Sequence, residues 1–182
     1  MKKLLLLIGL LAVVGMSLNS CLSNDVEDKY KDWRKANNEW YEAQRGNTDY
    51  YKTVVAPWDP NGQVLIHWFN DTMLTCSNLK PLLSSTVDLK YRGMLYDATP
   101  FDSSYLSTAP RDSISRFTLN SRSLIEGWAL GVTQMHVGDS CRIVIPYQLG
   151  YGSYSMGSVI KPFSMLIFDI KLDDIYAYEV KP

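Results

Sequence analysis

The stretch "SMLIFDIKLDDI" constrains this chain more than any other. Leu166, Phe168, Ile170 and Leu172 point one way while Asp169 and Lys171 point the other, and a period of two is the mark of a β-strand with one face in a core and the other toward water. "VDLKYRGML" repeats the pattern, with Val87, Leu89 and Tyr91 on one face and Asp88, Lys90 and Arg92 on the other. Strands with one wet face belong to antiparallel sheets, because parallel sheets are covered on both sides. "VLIHWFN", "FTLN" and "CRIVIPY" add further strands. One helix interrupts them: in "SLIEGWALGVTQMHVGD" the residues Ile125, Trp128, Ala129, Val132 and Met135 form an apolar face, and Gly138 suits the C-terminal cap. The expected fold class is α+β, a curved antiparallel β-sheet wrapped around one short helix.

The N-terminal part is organised differently. Lys2 and Lys3 precede the apolar run "LLLLIGLLAVVG", which is too short for a membrane-spanning helix and reads as an export signal over residues 1–20. The run ends in "LNSC", which resembles the lipobox of bacterial lipoproteins and implies that Cys21 carries a lipid and becomes the mature N-terminus. Leu22 follows the cysteine where an aspartate would resemble the inner-membrane retention signal of enteric-type bacteria, so outer-membrane attachment is expected. Over residues 25–45, Val26, Tyr30, Trp33, Asn37, Trp40 and Tyr41 fall near one side at helical spacing, and Gly46 reads as a stop. This additional N-terminal helix is expected to pack either on the following domain or on a second copy of itself, which would make a homodimer. "NTDYYKTVVAPWDPNG" then reads as a neck, so that residues 21–60 form a tether with an amphipathic helix and residues 61–182 the domain proper.

Composition excludes some partners and chemistries. With a formal net charge of -1 and no block of Lys and Arg, the chain lacks the electrostatic footprint that nucleic acid selects. His67 and His136, its only histidines, sit in no recognisable nucleophile motif, so Ser103 and Ser104 have no evident base. "GYGSYSMG" places Ser155 where a phosphate-binding fingerprint needs its third glycine. No His and Cys spacing fits a metal site, and no cofactor is implied. Cys76 and Cys141 could pair if bridging distance allows, though Cys141 shares a strand face with Ile143 and Ile145 and reads as a small buried hydrophobe.

The stretch "YRGMLYDATPFDSSY" sets a tyrosine and a glycine before a turn, then a Phe-Asp pair and two serines. Together with "LIEGWALGVTQMHVGD", "IPYQLGYG" and "SMLIFDIKLDDI", in this order and spacing, it resembles the FKBP-type peptidyl-prolyl cis/trans isomerases over about residues 61–178. The resemblance implies an FKBP-like fold and rotation about X-Pro bonds in proline-containing polypeptide clients. It makes Trp128 the pocket floor on which a proline ring rests, with Tyr91, Phe101 and Phe168 as walls. Leu124 and Ile125 would close another side, and the Ile125 N–H would meet a ligand carbonyl. Tyr151 would donate to a second carbonyl, Met156 and Ile160 would contact substrate, and Asp102 would lie at the rim near the Tyr91 hydroxyl. Three departures stand out: Ser115 where a flanking aromatic is expected, Met156 in a loop that often has histidine, and Pro162 alone, after Lys161, in a stretch usually rich in proline. They imply a pocket more open on those sides, which bears on tight macrolide binding more than on peptide turnover. A non-catalytic binding module on the same fold is the alternative; Ser115 and Lys161 favour it, while Tyr91, Asp102, Trp128 and Tyr151 favour the isomerase more.

Overall fold

The computed structural model describes residues 25–107 and 113–178. Cys21 and the export signal lie outside the described residues. In chain order the elements are α1 (Lys31–Arg45), β1 (Lys52–Ala56), β2 (Asp59–Trp68), β3 (Thr86–Leu95), β4 (Pro100–Ser103), the single turn α2 (Ser104–Ser107), β5 (Ser115–Thr118), α3 (Glu126–Val132), β6 (Ser140–Ile145) and β7 (Leu166–Ala177). The strands form one 7-stranded sheet in the order β1-β2-β6-β7-β3-β4, with β5 also paired to β3. All these pairings are antiparallel.

The period-two pattern places the inner face correctly. Val87, Leu89 and Tyr91 of β3 and Leu166, Phe168, Ile170 and Leu172 of β7 are all buried in one core with Trp128, Ala129, Leu130 and Val132 of α3. That helix approaches the sheet closely because Gly127 and Gly131 face Ile145 and Ile143 of β6, where an added Cβ would meet each isoleucine side chain at 2.4 Å. Four helical residues advance about 6 Å and two strand residues slightly more, so glycines four apart seat against isoleucines two apart. The helix closes at Thr133, whose N–H bonds to the Ala129 carbonyl, and not at Gly138. Gly138 has φ 95° in the turn before β6, with its N–H on the Leu172 carbonyl.

The outer face departs from the expected pattern. Leu65, Val144, Ile167 and Met94 stand in one cross-strand row over β2, β6, β7 and β3, and Leu65, Val144 and Ile167 are buried in a second core. The next row along the same face, His67, Arg142, Asp169 and Arg92, is polar. Within it Arg142 donates twice to Asp169, at 2.7 and 2.9 Å. Helix α1 covers the apolar row, bringing Tyr41 and Trp40 into this second core. Burying each large aliphatic side chain is worth about 1.5–3 kcal/mol, which is what draws the helix onto the sheet.

The N-terminal segments therefore belong to the domain. Residues 25–29 are helical, a turn at Tyr30 interrupts them, and α1 follows. Gly46 caps α1 with φ -69°, a right-handed conformation open to other residues, so the stop does not use glycine's freedom. The stretch expected as a neck supplies β1, an edge strand paired to β2, with Tyr51 and Ala56 buried. Tyr51 joins the outer core while Val54 and Ala56 pack with the inner one, which holds that segment on the sheet instead of leaving it in solvent. Among the described residues no helix is long and apolar enough to cross a membrane.

Candidate functional site

The pocket is built around Tyr91, and the "FDSS" stretch holds it there. The Tyr91 hydroxyl donates to Asp102 Oδ2 at 2.7 Å, its backbone N–H donates to Ser104 Oγ at 3.0 Å, and its carbonyl accepts from Ser103 Oγ at 3.2 Å. Strand β4 can do this because it lies antiparallel beside β3, with Arg92 opposite Ser103 and Gly93 opposite Asp102. The serines thus fasten backbone, and Asp102, which also accepts the Ser103 N–H at 2.7 Å, fastens the ring. Burial, then the bond to Asp102, push the Tyr91 hydroxyl well above the usual tyrosine range, so it stays a proton donor.

Over Tyr91 opens a cavity of about 510 Å³. Every pocket residue expected from the sequence lines it: Tyr91, Phe101, Asp102, Leu124, Ile125, Trp128, Tyr151, Met156, Ile160 and Phe168. Trp128 is almost fully buried and stands edge-on to Tyr91, 87° between planes with centroids 6.5 Å apart. Phe101 and Phe168 meet edge to face at 5.5 Å. Ile125 precedes α3 with extended backbone, and among the described residues its N–H meets no protein acceptor. Burial, and then the negative charge of Asp102, raise the Tyr151 hydroxyl, which keeps it protonated as a donor.

Phe117, Ser123, Gly157, Ser158 and Val159 also line the cavity and were not anticipated from the sequence. Phe117 corrects one expectation. The wall thought to be lost at Ser115 is supplied two residues later, since β5 pairs Ser115 with Leu89 and Phe117 with Val87 and so sets both on the inner face. The Phe117 ring lies 5.1 Å from Trp128 and 5.8 Å from Tyr91, so the pocket is not open on that side. The period of two in "SRFT" was the signal available. Gly93 stood out for its place before the turn, but its role is contact: an added Cβ would stand 2.6 Å from Phe101 Cε2 and 3.0 Å from Phe168 Cε1. Only a residue without a side chain lets both walls close.

The remaining expectations concern thiols and metals. Cys76 is exposed and Cys141 buried, and both are free. Burial, with Asp139 and Asp169 nearby, pushes the Cys141 thiol far up, consistent with a packing role. Among the described residues no three His, Cys, Asp or Glu side chains group as metal ligands.

The family model described as FKBP-type peptidyl-prolyl cis-trans isomerase matches residues 78–173. The chain belongs to this family. All the expected pocket residues, from Tyr91 to Phe168, fall inside the matched FKBP region, and α1, β1 and β2 fall before it. Among its relatives, the FKBP-type 22 kDa peptidyl-prolyl cis-trans isomerase of Escherichia coli is 37% identical over 95 residues, 52% of this chain and 43% of that protein. FK506-binding protein 2 of Kluyveromyces lactis is 39% identical over 98 residues, 53% of this chain and 67% of that protein. The chain thus spans less than half the length of the first relative. A crystal structure of a peptidyl-prolyl cis-trans isomerase from Pseudomonas syringae is similar with TM-score 0.64 and 26% identity, over 80% of this chain and 95% of that one. FkpA of Escherichia coli, at TM-score 0.64 and 22% identity over 90% of this chain and 70% of its own, shares the fold.

Proposed function

We propose that this protein is an FKBP-type peptidyl-prolyl cis/trans isomerase that assists proline-limited folding of exported proteins from a lipid anchor at the bacterial cell envelope. The observation that carries the reading is the pocket: an aromatic floor and walls, with the Tyr151 hydroxyl and the Ile125 N–H as donors. An X-Pro bond resists rotation by about 18–20 kcal/mol because resonance holds the amide planar. An apolar cavity disfavours the charge-separated planar amide relative to the twisted one, and a cavity shaped to the twisted form binds the transition state more tightly than the ground state. Donors fixed on the flanking carbonyls hold the peptide while the prolyl bond turns. The Tyr91 hydroxyl is engaged by Asp102, so in this scheme it orients the ring and leaves substrate bonding to Tyr151 and Ile125.

Two departures that favoured a non-catalytic module are absorbed within the domain. Phe117 fills the side assigned to Ser115, and the Lys161 ammonium lies 4.4 Å over the Trp33 ring, away from a client-binding task. The apolar stripe of α1 rests on its own domain, which leaves only its charged side for pairing with a second copy.

A protease-coupled assay on a proline-containing tetrapeptide tests the activity, and no acceleration above the thermal rate would overturn it. Within that assay Tyr151→Phe removes one hydroxyl and is expected to cost about 0.5–1.5 kcal/mol, or roughly threefold to tenfold in kcat/KM. Asp102→Leu should fall at least as far because the Tyr91 ring loses its tether, with Tm unchanged in both. Full activity in both folded variants would mean that prolyl bonds turn elsewhere. For the anchor, Cys21→Ser should move the protein from the membrane fraction to a soluble or unprocessed form. Unaltered lipid labelling in that variant would remove the anchor, and fractionation of the wild type distinguishes outer from inner membrane.

A further inference from the structure

The pocket loop, residues 151–160, carries Tyr151, Met156 and Ile160, and its Met156 and Ile160 bridge one another across it. Its position is set at its two bases. At the first, the Gly152 N–H bonds to the Tyr147 carbonyl at 2.8 Å; at the second, the Phe163 N–H bonds back to the Gly152 carbonyl at 2.9 Å. Both bases are gripped by α1. Arg34 donates to the Tyr147 hydroxyl at 2.9 Å and lies 4.9 Å from the Phe163 ring centroid. Trp33 Nε1 donates to Ser164 Oγ at 3.1 Å, with the Lys161 ammonium over its ring. The buried Asn37 amide accepts the Met165 N–H at 2.9 Å and donates to the Trp33 carbonyl at 2.7 Å. Phe163 is held at φ 62°, a conformation an aromatic residue keeps only where its surroundings impose it.

We propose that α1 is a brace for the pocket loop, and that Trp33, Arg34 and Asn37 are positioning residues for prolyl isomerisation, acting through residues 161–165 and Tyr147. The inference rests on the isomerase reading of this pocket. A loop tied at its bases takes its place from those ties, and a donor displaced by about 1 Å holds the peptide less well in ground and transition state alike. Since the loop is a wall of the substrate site, loosening it weakens hold on the peptide, and the loss belongs mainly in KM.

The experiment compares Trp33→Leu combined with Arg34→Gln against Tyr41→Leu. Tyr41 sits on the same helix, and its hydroxyl bonds to the Gln63 carbonyl and to neither base of the loop. The double variant is expected to lower kcat/KM about threefold to tenfold, mostly through KM, and to speed hydrogen exchange at the amides of Gly152, Ile160 and Phe163 by tenfold or more. Tyr41→Leu should lower Tm with kcat/KM and those amides unchanged. Arg34→Lys alone, which keeps a cation near Tyr147 and Phe163, should stay near wild type. Should the double variant fail to fold, Ser164→Ala and Trp33→Phe, which remove one hydrogen bond, carry the same test with a smaller shift. Equal loss of kcat/KM in Tyr41→Leu, or unaltered exchange at the loop amides in the folded brace variants, would overturn the brace. If the wild type shows no turnover, the isomerase reading fails while the exchange measurement still decides whether α1 holds the loop.

Discussion

Replacing Gly93 with alanine is expected to lower kcat/KM on an X-Pro peptide by tenfold or more while shifting Tm by only a few degrees. The added methyl would stand 2.6 and 2.8 Å from the Phe101 ring and 3.0 Å from Phe168. Overpacking costs about 1–3 kcal/mol, against a gain of about 0.5–1 kcal/mol from replacing a strand glycine. Net destabilisation is therefore small. The half-buried Phe101 yields more readily than the buried Phe168, so relief comes from swinging Phe101 outward, which opens the wall that shapes the transition state. Each 1.4 kcal/mol of lost complementarity is about tenfold in rate. Adding Phe101→Leu to the same chain should return the stability without returning the turnover. A folded Gly93→Ala protein with wild-type kcat/KM, measured by the protease-coupled assay, would show that the Phe101 wall does not shape the reaction.

The second large effect is on stability. Asp139 is fully buried; one carboxylate oxygen accepts from Asn70 Nδ2 at 3.0 Å and from the Thr75 hydroxyl, and the other accepts the His136 N–H at 2.7 Å. Through these bonds the long connection between β2 and β3 is fastened to the turn before β6. Asp139→Ala removes the acceptor of the Asn70 amide and of the His136 N–H, leaving the Thr75 hydroxyl only the Thr72 carbonyl at 3.2 Å, and a loss of about 3–5 kcal/mol is expected. At about 2–4 °C per kcal/mol for a protein of this size, Tm should fall by roughly 10 °C. Asp139→Asn keeps the volume but turns an amide N–H₂ toward a donor, so it should recover only part of the loss. Turnover at low temperature should survive in both, because Asp139 borders a separate cleft with Lys52, Trp68 and His136. Thermal melts within a few degrees of wild type for Asp139→Ala would show that the connection is held by other contacts.

Phe117 and the outer apolar row show where the sequence alone stopped short, and for different reasons. For Phe117 the local signal existed: it has the parity of Ser115, and β5 pairs both with inward residues of β3. A match by position to the family pattern overrode the strand period. For Leu65, Val144 and Ile167 the signal was the runs "VLI", "IVI" and "LIF", in which neighbouring residues are all apolar. Such runs occur where both faces of a sheet are covered, and the alternation elsewhere in the same strands masked them.

By itself the sequence determined β2, β3, β5, β6 and β7 and the inner face of β3 and β7, since alternation is a property of adjacent residues and needs no partner to be read. The resemblance to the family named the side chains that meet in the pocket, and "YRGML" and "FDS" lie on neighbouring strands joined by a short turn. Only the tertiary structure decided that α1 lies on the outer face and grips the pocket loop, and that the neck is a strand. Those outcomes depend on contacts such as Asn37 with Met165, 128 residues apart. A helix with an apolar stripe buries it wherever a matching surface exists, and that surface, one row across β2, β6, β7 and β3, comes into being only when the strands have paired in register.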